Sequence, residues 1–271
     1  MAVLWIVAAL VILVAGLSAS VRSDVQSTAS LRDQVAMRAL AEGAVLLAMR
    51  DLSAGKGAAA LPLETSISLG GTPIRIRMAS AAGWLDINTA PPERLERLLA
   101  HIGGLDRREA QVLAARIVDW RDPDTVATPG GAEDEAYESA GSVYRTRGER
   151  FATPEDLLQV LGVSFEVFDR IRGFVTTEGS GDGVLDARSA PQALLEAMGE
   201  SALPAGSFNA AGVPPEFLGA GNALRVEARI SAGGRREYVH VAWIRINAAS
   251  EGSLPIEVLR TEPPTFWTST D

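Results

Sequence analysis

The sequence predicts an α+β fold with a long N-terminal helix, and three observations carry that prediction. Met1–Val21 contains no charged residue and runs on in helical periodicity to Leu52. Two pairs of alternating apolar and polar segments are each centred on a Gly-Gly. A stretch of helical character, Trp84–Met198, separates the two pairs. Runs of apolar residues spaced three and four apart mark helix, whereas strict alternation marks half-buried strand.

The first element is MAVLWIVAALVILVAGLSASV, ended by Arg22 and Asp24. A bilayer core needs about 20 predominantly apolar residues in helix, so residues 1–21 are expected to span a membrane. Ser18-Ala19-Ser20 offers an alternative reading as a signal-peptide cleavage site, but no Lys or Arg precedes Arg22 to form a basic n-region. Residues 22–55 are expected to continue the helix amphipathically through Val25, Ala29, Leu31, Val35, Ala39, Leu46, Met49 and Leu52. No proline interrupts it, and Ser53-Ala54-Gly55-Lys56-Gly57 should stop it.

Residues 56–82 contain the first strand pair. Thr65–Leu69 and Pro73–Ala79 alternate around Gly70-Gly71, a hairpin signature. Residues 205–271 hold the second, Asn222–Ser231 and Arg235–Asn247 around Gly233-Gly234, with a last short strand expected at Ile256–Arg260.

The intervening residues 83–204 are expected to form an inserted helical domain. A repeat lies within it: Gly83-Trp84-Leu85-Asp86-Ile87-Asn88-Thr89-Ala90-Pro91 returns as Gly183-Val184-Leu185-Asp186-Ala187-Arg188-Ser189-Ala190-Pro191. In each copy the Asp and the Thr or Ser before Ala-Pro suggest a helix N-cap, with proline in the first turn where its missing N–H is harmless. Arg94–Ala100, the turn at Gly103-Gly104 and Arg108–Trp120 form a helix-hairpin-helix pattern, repeated in looser form by Phe151–Leu161, Gly162 and Phe165–Phe174. Such turns can grip a nucleic-acid phosphate through glycine N–H groups. The favoured reading is that glycine merely permits a tight helix–helix turn.

Composition narrows the function classes. The chain has 271 residues, 47% of them hydrophobic, enough to bury two subdomain cores. Its net charge of −9 disfavours polyanionic partners. With no cysteine there are no disulfides, thiolate metal sites or cysteine nucleophiles. The two histidines, His101 and His240, are far apart in sequence, and both are read as packing residues. No catalytic constellation stands out, Gly179–Gly183 lacks the partners of a phosphate loop and is read as a linker, and the chain is not expected to be an enzyme.

The strongest polar cluster is Asp119-Trp120-Arg121-Asp122-Pro123-Asp124 followed by Gly131-Ala132-Glu133-Asp134-Glu135. Calcium takes six to eight oxygen ligands, and acidic loops supply them. The spacing is not that of an EF-hand, so a solvated charge cluster is the competing reading.

Taken together, the uncharged helix and its amphipathic extension, Leu85–Pro92, the DWRD of Asp119–Asp122, Gly131–Asp134 with Tyr137, Tyr144-Arg145, and Phe151 with Glu155, Leu157, Leu161 and Gly162 resemble the K component of the type II (general) secretion pathway, a minor pseudopilin. The resemblance spans essentially the whole chain. It implies a pilin-like fold, a long N-terminal helix packed on an antiparallel sheet with a large helical domain (helix-hairpin-helix or SAM-like) inserted between strands. It also implies a non-enzymatic subunit at the pseudopilus tip that nucleates assembly with the minor pseudopilins I and J, serving protein export across the outer membrane. The implied setting is a single pass of the inner membrane with the C-terminal domain in the periplasm. Further partners would be the inner-membrane secretion platform and a prepilin peptidase; no nucleic acid is expected. Calcium binding in the helical domain is implied as well, with Asp119, Asp122, Asp124, Glu133 and Asp134 as candidate ligands.

The sequence departs from the family pattern in showing no basic leader before the apolar helix and in carrying Arg188 where the second repeat commonly has Asn. No acid precedes Asp24, which suits a tip subunit with no neighbour ahead of it to neutralise. The competing function is a membrane-anchored helix-hairpin-helix nucleic-acid-binding protein of the DNA-uptake kind. A membrane-anchored hydrolase using paired carboxylates is a weaker third.

Overall fold

The computed structural model describes residues 2–53, 61–179, 185–200, 223–232, 236–246 and 256–268; within the first stretch, side chains are described for Val3, Trp5, Ile6 and from Ser27 onward. The turn at Gly233-Gly234 and most of the Gly179–Gly183 linker lie outside these residues. Helix α1 runs unbroken over Ala2–Ser53, and Ala54–Gly57 of the expected stop lie outside the described residues. Among the described residues no helix is long and apolar enough to cross a membrane. Most side chains of the expected span, residues 1–21, lie outside them.

A six-stranded antiparallel sheet carries α1. The strands are β1 (Leu63–Leu69), β2 (Thr72–Ser80), β5 (Ala223–Ser231), β6 (Arg236–Ile246), β7 (Ile256–Thr261) and β8 (Thr265–Thr268), in the order β1-β2-β5-β6-β7 with β8 also on β6. Strands β1 and β2 turn at Gly70 and Gly71, both at positive φ. A two-residue hairpin whose twist matches its strands requires that conformation, and glycine supplies it without strain. The insert leaves from β2 and returns to β5, its direct antiparallel neighbour, with Ile74 opposite Ile230 and Ile76 opposite Ala228. Strand β8 was not foreseen, because Pro263-Pro264 reads as a terminus.

The face of α1 that packs on the sheet is Ala41, Ala44, Val45, Ala48, Met49 and Leu52, set against Ile74, Ile76, Met78, Val226, Ala228 and Tyr238. Three alanines on that stripe let the helix backbone come close. Gly43 continues the close approach, since a Cβ there would lie 3.0 Å from Leu69. The stripe expected from periodicity is corrected in part: Met49 and Leu52 are buried, but Leu31, Val35 and Leu46 are 63%, 68% and 53% exposed. The sheet reaches only the C-terminal part of the helix, so among the described residues Leu31 and Val35 stay uncovered, while Leu46 sits on the face turned away from the sheet. His240, on β6, is buried as expected, whereas His101, the last residue of the helix Pro92–His101, is exposed rather than packed.

The helical domain comprises α2 (Pro92–His101), α3 (Arg107–Arg121), α4 (Asp134–Ser139), α5 (Phe165–Ile171) and α6 (Gln192–Met198), with 3-10 turns at Pro154–Gln159 and Arg172–Phe174. A two-stranded parallel ribbon of β3 (Leu85–Asp86) and β4 (Val175–Thr176) ties its start to its end. The two repeats pack on each other at this point. The Asp186 N–H donates to the Ala82 carbonyl at 2.8 Å, and the Ser80 N–H to Ser189 Oγ at 3.1 Å.

The expected side-chain caps on α2 and α6 are corrected. The N-cap residues are Pro91 and Pro191, neither with a side-chain bond. Asp86 and Asp186 instead close turns two residues on, accepting from the N–H of Asn88 at 2.8 Å and of Arg188 at 3.2 Å. An aspartate this far ahead of the helix satisfies the bend of the chain rather than the helix terminus. Arg188 keeps the turn and adds its own Nε bond to Asp186 at 2.9 Å.

Gly83 has no room for a side chain, because a Cβ would lie 2.6 Å from Ser189 C and 2.7 Å from Ala190 N. Backbone atoms cannot rotate away as a side chain can. Gly83→Ala is therefore expected to lower unfolding stability by about 1–3 kcal/mol. Gly173→Ala, where nothing lies within 4 Å, should stay within about 0.5 kcal/mol. Urea unfolding of the two variants checks this, and equal midpoints would refute it.

Both hairpin turns are built into the domain. Gly104 and Gly162 have positive φ. Arg170 of α5 donates to the Gly103 carbonyl at 2.9 Å, and Arg116 of α3 donates to the Leu161 carbonyl at 3.0 Å. Each turn is thus covered by an arginine of the other hairpin. That arrangement favours the tight-turn reading over phosphate capture.

Candidate metal centre

The four residues of the DWRD motif diverge in space, because the last turn of α3 points successive side chains in different directions. Asp119 is fully buried and accepts from Thr128 Oγ1 at 2.8 Å and from the Thr128 N–H at 3.2 Å. A Cβ on Gly131 would overlap Asp119 Oδ2, so glycine is what lets the loop close over that carboxylate. Trp120 enters the domain core and stacks on Phe151, with ring centroids 4.3 Å apart. Arg121 turns to the first repeat, donating to the Ile87 carbonyl and, at 2.7 Å, to that of Ala90. Burial holds its pKa below the ordinary guanidinium value.

Asp122 ends α3 as its C-cap, in extended conformation. It meets Asp124 and Glu133: each of the three offers a carboxylate oxygen, and these oxygens lie within 4.8 Å of one another. Asp122 Oδ1 and Glu133 Oε1 are buried without a hydrogen-bond partner. Buried carboxylate oxygens are normally satisfied, so the pair marks a place built for a donor or a cation. Burial first, then repulsion from Asp124 and Asp119, pushes the Asp122 carboxyl above the usual range. Glu133 is raised in the same way, chiefly by burial and against the pull of a Thr146 hydrogen bond, with Asp119, Asp122 and Asp124 adding repulsion.

Of the five expected ligands, the structure brings Asp122, Asp124 and Glu133 together. Asp119 is spent on Thr128, and Asp134 on Thr146, whose N–H and Oγ1 donate to it at 3.0 and 2.7 Å. Thr128 and Thr146 were not legible in the sequence, since lone threonines in loops carry no pattern. An all-oxygen donor set of three carboxylates fits a hard cation such as calcium, with solvent completing the shell.

Other family-motif residues serve packing. Asn88 and Phe151 exchange two hydrogen bonds, at 3.0 and 2.7 Å, fastening the first repeat to the second hairpin. The Tyr137 hydroxyl accepts from the Leu161 N–H at 3.0 Å.

Residues 77–178 match the family model described as type II secretion system (T2SS), protein K. A segment of 89 residues, 33% of this chain, is 29% identical to the type II secretion system protein K of Pectobacterium carotovorum subsp. carotovorum and covers 27% of that protein's length. A chain in the crystal structure of the GspK-GspI-GspJ complex from the enterotoxigenic Escherichia coli type 2 secretion system superposes with a TM-score of 0.58 at 15% identity, over 91% of this chain and 99% of that one. That likeness shows the fold: a pilin-like α+β body with an inserted helical domain. The match to that family model over residues 77–178 and the shared fold agree with the family resemblance read from the sequence.

Proposed function

We propose that the chain is a minor pseudopilin of type II secretion, sitting at the pseudopilus tip with the I and J components and nucleating assembly for export across the outer membrane. Residues 1–21 anchor it in the inner membrane, singly, with the C-terminal domain in the periplasm. Prepilin peptidase processes it there and the inner-membrane platform extracts it. It works as a structural subunit and not as an enzyme.

One observation carries this reading. The portion of α1 ahead of Met37 leaves the sheet and exposes Leu31 and Val35 one turn apart. Apolar residues four apart on a free helix form a stripe suited to another helix. The crystallised relative of the same fold assembles with two other components of its secretion system, and the exposed stripe supplies a surface for equivalent partners.

Co-expression of the full chain with the I and J components is expected to yield a ternary complex in detergent. Leu31→Asp with Val35→Asp should weaken it by about thirtyfold, the loss of roughly 2 kcal/mol at a buried apolar contact. Absence of any complex, or an unchanged affinity in the double variant, would refute the reading.

We further propose that Asp122, Asp124 and Glu133 hold a calcium ion. Bound there, the ion would neutralise three carboxylates and join the end of α3 to the start of α4.

A further inference from the structure

A cleft of about 400 Å³ separates the helical domain from the outer face of the sheet. Five arginines line it, and four of them are committed. Arg170 pairs with Glu166 at 2.6 Å, Arg172 with Asp169 at 2.8 Å, Arg225 with Glu227 at 2.8 Å, and Arg229 also with Glu227. Arg260 is different. Among the described residues it forms no ion pair, its Nε is buried without a partner, and its guanidinium carbon lies over the Trp243 ring, 4.5 Å from the centroid.

The acids whose charge acts on Arg260 are Glu262, Glu155 and Glu178. Glu262 accepts from Trp243 Nε1 at 2.8 Å, Glu178 pairs with Arg245 at 3.3 Å, and Glu155 is exposed. None of them reaches ion-pair distance of Arg260. A partly desolvated cation that is stacked but unpaired has lost hydration without full compensation. An aromatic face attracts the guanidinium without using its N–H groups, which stay available to a planar acceptor.

We propose that this cleft binds a peptide carboxylate, with Arg260 as its receptor. The surrounding acids select the ligand. A phosphate dianion would be repelled by Glu155, Glu227 and Glu262, whereas a single carboxylate matches one guanidinium fork. Phe174, Val239 and Val241 give the cleft an apolar wall against which peptide can lie. The carboxylate comes either from an acidic side chain or from a chain terminus, and this site is independent of the acidic cluster on α3.

The test uses the full chain in detergent and three fluorescein-labelled peptides of one neutral Gly-Ser sequence. One carries an internal Glu and an amidated end, one a free C-terminal carboxylate, and one neither. Fluorescence anisotropy should show saturable binding of one or both acidic probes, and the probe that binds identifies the source. Arg260→Gln should weaken that binding by about tenfold, the loss of one charge-assisted hydrogen-bonded pair. Arg107→Gln, at a side chain 86% exposed outside the cleft, should leave it unchanged. Should the Gln variant fail to fold, Arg260→Lys, which keeps the charge but not the fork, is the comparison and should also bind more weakly. Equal binding of the neutral peptide, no saturable binding of either acidic probe, or unchanged affinity in the Arg260 variants would overturn the proposal.

Discussion

Trp120→Ala should remove about 3–5 kcal/mol of stability from the helical domain, the usual cost of deleting a large buried aromatic. Trp120 is 1% exposed, stacks on Phe151 at an interplanar angle of 14°, and shares a core with Leu113, Ile117, Tyr137 and Leu157. Truncation leaves a cavity bounded by α3, the first repeat and the second hairpin. Those elements are already fixed by backbone bonds, so the site cannot collapse to fill it. Trp120→Phe keeps the stack and removes an indole N–H that is buried without a partner, so its cost should be only about 1 kcal/mol. Near-UV circular dichroism during urea unfolding reports the difference. A loss below that of Trp120→Phe in the Ala variant would sink the argument.

Calcium should raise the unfolding stability of the full chain by about 4 kcal/mol when present at a thousandfold excess over its Kd. Chelator should remove that increment, and Asp122→Asn with Glu133→Gln should abolish it. Asp119→Ala is expected to behave differently. Its buried carboxylate fastens Thr128 and the loop that carries it, so the variant should lose about 1–3 kcal/mol whether calcium or chelator is present. An identical melting curve with and without calcium in the parent chain would remove the metal assignment.

The same site has a pH signature whose sign follows from the raised carboxyls. In the metal-free protein Asp122 and Glu133 hold protons more tightly than in the unfolded chain. Their penalty is therefore present at neutral pH and is relieved as pH falls through the raised folded-state values. The calcium-loaded protein has the opposite dependence, because protonation displaces the ion. The calcium increment should accordingly shrink on acidification, beginning above the ordinary carboxylate range. Melting curves with calcium and with chelator across that range measure it.

The acidic cluster shows how far a pattern in sequence reaches. Five carboxylates within Asp119–Asp134 read as one ligand set, yet two of them are consumed by threonines. Which carboxylate turns inward depends on where Thr128 and Thr146 are brought by loops, and no spacing rule encodes that. The repeat shows the same limit. Asp86 and Asp186 read as helix caps but close turns ahead of the helices instead, and Gly83 matters because the second repeat's backbone lies against it, a contact between segments about a hundred residues apart.

What the sequence determined by itself is the set of local choices. The unbroken helix to Ser53, the Gly70-Gly71 turn and the alternation of β2, β5 and β6 each follow from steric freedom or periodicity within a few residues. What only the tertiary structure decided is how those pieces meet: β2 beside β5 across the insert, Ala41 and Ala44 rather than Leu31 and Val35 against the sheet, and Arg260 left unpaired over Trp243. Burial of a helix face and pairing of a charge depend on neighbours from distant parts of the chain. Local pattern limits those neighbours without choosing among them.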